Sequence, residues 1–179
     1  MGVDLSSAFA DAALKCHGIS VHVGDPLSVA LPQEYFDVVI LLGTIGNLQD
    51  LSKHLLRIRQ VLKPDGLLIV NFPDANSWLV KYVYRSRFWM FTPSTNFFLT
   101  SMGCTEALTR SGFYIQDLIC DRQNSSFRKF LSHSRLEFLI PFSSRFNLDG
   151  ASLPFSVPLP GIRLLKARIH KPVTPDDGN

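Results

Sequence analysis

Charge is scarce in this chain of 179 residues: Asp, Glu, Lys and Arg make up 18%, against 46% hydrophobic residues. With a mean hydropathy of +0.13, that composition excludes wholesale disorder, because enough apolar surface exists to offset the entropy of ordering. Cysteine is rarer still. Cys16, Cys104 and Cys120 are odd in number and widely spaced, with no CxxC pair. This argues against a disulfide framework and a zinc site and implies reduced thiols in a cytoplasmic protein. No run is apolar enough to span a bilayer. The longest charge-free stretch, Phe88 to Thr105, carries Pro93, Asn96 and several hydroxyl side chains. A secretory leader is not expected, since Asp4 and Asp11 stand where a basic start and an apolar core would be needed. Internal repeats, GxSxG and HExxH are also missing.

What charge there is lies unevenly. Residues 1–75 hold five basic and eight acidic side chains, whereas residues 122–171 hold nine basic and two acidic. A basic C-terminal third could meet a phosphate or an anionic surface, or simply be a solvated face. It contains no nucleic-acid reader motif, so no nucleic-acid partner is expected.

The apolar periodicity predicts alternating elements. Ser6-Ser7 can cap a helix over Ala8 to His17, with Gly18 as its stop. Ile19 to Val23 reads as a strand, closed by Gly24-Asp25-Pro26. The continuous β-branched run FDVVILL, Phe36 to Leu42, is the pattern of a strand buried on both faces. Asp50 to Leu62 places Leu51, Leu55, Ile58 and Leu62 on one helical stripe, and Lys63-Pro64-Asp65-Gly66 should end it in a tight turn. A second buried strand, Leu67 to Phe72, follows. Later come a short helix at Thr105 to Ser111 and strands at Phe113 to Asp121 and Ile162 to His170. Such alternation predicts an α/β domain with a mostly parallel sheet, whose ligands gather at the carboxyl ends of the strands. The domain is expected to run over residues 1–171, with an aromatic insertion or lid at 74–104 and a disordered tail at 172–179.

Four segments carry a resemblance. GVDLS at Gly2 to Ser6, the Gly24-Asp25 pair, FDVVILLGTIGNLQD at Phe36 to Asp50 and VLKPDGLLIV at Val61 to Val70 occur in this order. Together they resemble the class I S-adenosylmethionine-dependent methyltransferases. The block Pro93 to Ile115 also looks like the segment before that family's sixth strand. The resemblance implies a Rossmann-like sheet with a C-terminal antiparallel hairpin, S-adenosyl-L-methionine as cofactor, and methyl transfer to a small-molecule acceptor.

By position, the resemblance gives Asp4, with Leu5, the ribose hydroxyls. It gives Gly24 and Asp25 the adenine amino group, with Pro26 against the ring, and Leu42 and Gly43 the methionine part. A carboxylate suits the two nucleoside sites because it offers only acceptors. The plain alternatives are a surface Asp capping the next helix at Asp4 and an ordinary turn at Asp25. Asn47 and Asn96 stand where many relatives carry histidine, and an amide cannot take up a proton near neutral pH. Trp78, Tyr82 and Trp89, in the aromatic block, are candidates for the acceptor pocket. They could equally pack an insertion against the sheet, or contact a membrane surface beside Lys81, Arg85 and Arg87. His17, His54, His133 and His170 are expected on the surface, in loops or in the tail, and none is assigned a catalytic role. The family's first strand and glycine-rich loop have no counterpart in this sequence. Without that strand, its two neighbours must pair directly, leave a gap or borrow a strand, so a fragment or a degenerate relative is expected. Two rival readings follow: a catalytically inactive, methyltransferase-like interaction module, and a nicotinamide enzyme using Asp4 on a ribose.

Overall fold

A computed structural model describes residues 1–84, 95–122 and 158–169. Trp89, Arg85, Arg87, His133, His170, most of the basic segment and the tail at 172–179 lie outside the described residues. The elements are β1 (Gly2–Asp4), α1 (Ser7–His17), β2 (Val21–Val23), β3 (Phe36–Leu42), a 3-10 turn at Ile45–Asn47, and α2 (Leu51–Val61). There follow β4 (Leu62–Pro73), a π-helical segment at Leu79–Tyr84, α3 (Ser101–Arg110), β5 (Phe113–Arg122) and β6 (Pro158–Ile169).

Helix boundaries follow local chemistry. The amide of Phe9 donates to the Ser6 hydroxyl, and Gly18 ends α1 at φ 66°, a left-handed conformation that costs glycine nothing. Asp50 caps α2 by accepting from the Lys53 amide. Thr100 does the same for α3, which starts four residues before the expected helix because that cap outranks weak apolar periodicity.

The strands form two sheets. One is the parallel pair β1–β2; the other has the order β3–β4–β6–β5. β3 and β4 are parallel, and β6 runs antiparallel to both β4 and β5. The mixed α/β architecture with an antiparallel C-terminal strand is the expected one. The core lies where α2 and α3 cover one face of the larger sheet. Leu55, Ile58, Cys104 and Leu108 pack there on Leu68, Val70 and Phe72. At roughly 25 cal/mol per Å2, burial of such side chains dominates the stability of the fold.

Three expectations are corrected. Lys63 to Gly66 is no separate turn: it is a bulge within β4, where Phe36 pairs with Leu62 and Val38 with Leu67. Pairing of Leu62 with β3 holds the segment in the sheet. A side chain at Gly66 would press on the Lys63 carbonyl, 2.9 Å from the Cβ position. Second, β3 is not buried on both faces. Val39 and Leu41 pack on the core, whereas Val38, Ile40 and Leu42 are 44%, 56% and 65% exposed. Third, His54 is not a surface residue: it is only 5% exposed.

Burial also sorts the thiols. Desolvation, with the nearby Asp74 charge, pushes the Cys104 thiol up to about 12. Cys16 is exposed. A thiol reagent at pH 8 is therefore expected to label Cys16 in the native chain and to leave Cys104 unmodified until the chain is denatured, read by peptide mass spectrometry.

Candidate functional site

The small sheet sets the tips of β1 and β2 side by side. Asp4 ends β1 and pairs in register with Val23 of β2, and the Gly24 amide donates to the Asp4 carbonyl at 2.9 Å. Asp25 follows directly. The two acids expected to face a nucleoside thus stand at neighbouring tips. Each spends one oxygen locally. Asp4 Oδ1 accepts from the Ser6 amide at 2.8 Å, and Asp25 Oδ1 from the Leu27 amide at 2.8 Å. The plain helix-end and turn roles are therefore real, but they occupy one oxygen of each carboxylate. Among the described residues no contact is made by the second oxygen of either. Leu5 is exposed beside Asp4, and Pro26 is half-buried after Asp25.

Leu42 and Gly43 end β3. Gly43 has φ 64° and donates to the Asn71 carbonyl of β4 at 3.2 Å, so the chain leaves the sheet there with no side chain on its upper surface. The next loop holds Asn47, whose carbonyl accepts from the Asn96 side-chain amide at 2.8 Å. The Asn96 and Phe97 amides donate to the Gly46 carbonyl. Asn47 and Asn96 are thereby brought together. Trp78 and Tyr82 follow the carboxyl end of β4, and both are exposed. The Lys81 ammonium lies 5.6 Å from the Tyr82 ring centre.

Between β1 and β3 lies a cavity of about 350 Å3, bordered by Gly2 and Val3 on one side and by Val38 to Leu41 on the other. Among the described residues no strand pairs with the facing edges of β1 and β3. Among the described residues a gap therefore separates β1 from β3. Helix α2 bridges it. The Arg57 guanidinium donates to the Val29 and Leu31 carbonyls at 3.3 and 3.4 Å, and the ring of His54 reaches Asp25.

Sequence reasoning missed two residues here. His54 is one. The other is Asp74, just past β4, buried and accepting from the amides of Asn76 and Ser101, the Ser101 hydroxyl at 2.6 Å and Arg163 at 3.3 Å. Burial pushes its carboxyl up, but the Ser101, Asn76 and Arg163 donors outweigh this and hold it below the usual carboxylate range. Arg163 also donates to the Cys120 thiol at 2.9 Å. An acid directly after a strand-closing proline is a weak signal in sequence, because its partners lie far along the chain.

Comparison with known proteins bears on the fold. Residues 1–70 match the family profile described as "Methyltransferase domain". A S-adenosylmethionine-dependent methyltransferase from Thermotoga maritima superposes with a TM-score of 0.63 at 18% identity, over 94% of this chain and 72% of that one. Another from Mesorhizobium loti gives 0.58 at 19% identity, over 93% and 78%. The [4+2]-cyclase SpnF gives 0.62 at 18% identity, over 96% and 66%. No curated protein matched the chain. The chain has the fold of the class I S-adenosylmethionine-dependent methyltransferases, and its first 70 residues carry the methyltransferase-domain sequence pattern. A cyclase on the same fold shows that architecture alone does not fix the reaction.

Proposed function

We propose that this chain serves methyl transfer from S-adenosylmethionine to a small-molecule acceptor in the cytoplasm. The observation that supports it best is the pair of carboxylates at adjoining strand tips, each with one oxygen free of partners among the described residues. Asp4 fits a ribose diol and Asp25 an exocyclic amine, because both ligand groups are donors. Leu5, Gly24 and Pro26 flank the nucleoside, and Leu42 with Gly43 faces the amino-acid part. When bound, the cofactor supplies an electrophilic methyl group; the chain's task is to align the acceptor and exclude water.

Asn47 follows β3 and holds Asn96; Trp78 and Tyr82 follow β4; these four are the acceptor-side residues of this reading, with Trp89 as a further candidate. The two amides can orient a polar acceptor but cannot remove its proton. The reading therefore favours an acceptor that is already nucleophilic at neutral pH. The exposed Trp78 and Tyr82 with Lys81 also support contact with an anionic membrane surface; failure to co-sediment with phosphatidylserine vesicles would remove that element.

The gap between β1 and β3, which no strand fills among the described residues, favours a second reading, an inactive methyltransferase-like module. Calorimetry with S-adenosylhomocysteine separates the two. Binding tighter than ~100 μM, about −5.5 kcal/mol, is expected for the cofactor reading. Asp25→Ala should weaken it by roughly tenfold or more, the worth of a hydrogen bond to a charged group. Absence of heat at millimolar ligand would leave the interaction module.

A further inference from the structure

His54 stands in the first turn of α2 with both ring nitrogens against acceptors. Nδ1 lies 2.7 Å from the Asp50 carbonyl and Nε2 lies 3.2 Å from Asp25 Oδ1. A carbonyl and a carboxylate accept only, so both contacts are hydrogen bonds only when both nitrogens carry hydrogen. The ring is almost fully buried, whereas Asp25 is about half exposed. The fixed partner therefore sets the pose of the freer one.

We infer that His54 is the positioning residue for Asp25: it holds Oδ1 and turns the second oxygen outward to a ligand's amino group. This rests on the cofactor reading above. The Leu27 amide alone leaves the carboxylate free to swing about its Asx turn. The His54 contact adds a second fixed donor, supplied from a helix 29 residues further on. It also ties the small sheet to the helix that packs on the large one. Loss of the Nε2 proton removes the donor and leaves a carboxylate oxygen facing a nitrogen lone pair, which favours rotation of the side chain.

The groups around the ring are few. Asp25 faces it from the turn after β2. Asp50 lies on its own helix cap, where Lys53 takes the carboxylate at 3.0 Å. Arg57, one turn on, borders the same cavity and is directed to the Val29 and Leu31 carbonyls. Of these only Asp25 bonds to Nε2.

The test uses the full chain, S-adenosylhomocysteine and the variants His54→Gln and His54→Phe. Glutamine can still donate to Asp25, whereas phenylalanine keeps a ring and has no donor. His54→Gln is expected to bind within a few-fold of wild type, and His54→Phe about tenfold more weakly, the effect of one lost hydrogen bond to a charged group. Ligand-free NMR of the wild type supplies an arm independent of folding defects in the variants: nuclear Overhauser contacts should join the His54 ring to the Asp25 β-protons. A wild-type chain that binds nothing would overturn the cofactor reading. Equal binding by wild type, His54→Gln and His54→Phe, or no contact between the His54 ring and Asp25 in the wild type, would overturn the positioning role.

Discussion

Asp74→Ala is expected to lower the unfolding free energy by about 3 kcal/mol, as a lower urea midpoint with an unchanged slope. The magnitude follows from what the substitution strands. Asp74 joins the end of β4 to the start of α3 through Ser101, and to β6 through Arg163, which is itself only part-exposed. Removing the acid leaves a half-buried hydroxyl, two amides and a guanidinium without their acceptor. Asp74→Asn should cost less, since one oxygen remains, and it sets the sign of the pH effect. The folded-state carboxyl sits below its ordinary value of 3.8, so the stabilisation is present above that value. It is lost as pH falls through the lower folded-state value. Wild type should exceed Asp74→Asn by a constant margin at pH 6, with the margin closing below about pH 4. A margin unchanged down to pH 2 would show that folding does not lower the Asp74 carboxyl below its ordinary value.

The second large effect is a contrast between two aliphatic residues on paired strands. Leu68→Ala is expected to cost about 3 kcal/mol, because Leu68 is wholly buried under α2 and α3 and the cavity cannot collapse. Ile40→Ala is expected to cost less than about 1 kcal/mol, because more than half of its surface already meets solvent. Both values come from denaturant melts. Equal, large losses at the two positions would mean that the outer face of β3 is covered in solution, contrary to the exposure seen for Val38, Ile40 and Leu42.

That contrast marks how far the sequence could be read. FDVVILL was legible as a strand to its last residue, because β-branched density is a property of the segment itself. Its burial on both faces was not legible, because burial depends on whether another element stands beside it. Lys63-Pro64-Asp65-Gly66 has every local feature of a turn, yet pairing of Leu62 with Phe36 draws it into β4 as a bulge. The acids Asp4 and Asp25 could be picked from strand-end position, and the structure sets them at neighbouring tips.

His54 shows the converse. On the helical stripe it reads as one more polar residue near a cap, and nothing local indicates a partner in a turn before β3. Asp74 likewise depends on Ser101 and Arg163, 27 and 89 residues away.

By itself, then, the sequence determined the order of these helices and strands and, within a residue, the ends of α1, α2 and β3, because caps, glycine stops and apolar period act within a few residues. It also determined which acids fall at strand tips. Only the tertiary structure decided that the strands divide into two sheets with a cavity between them, and that His54 and Asp74 are buried among acceptors or donors. Those outcomes depend on edges and side chains meeting across tens of residues, and no short-range pattern encodes which distant group will be there to meet them.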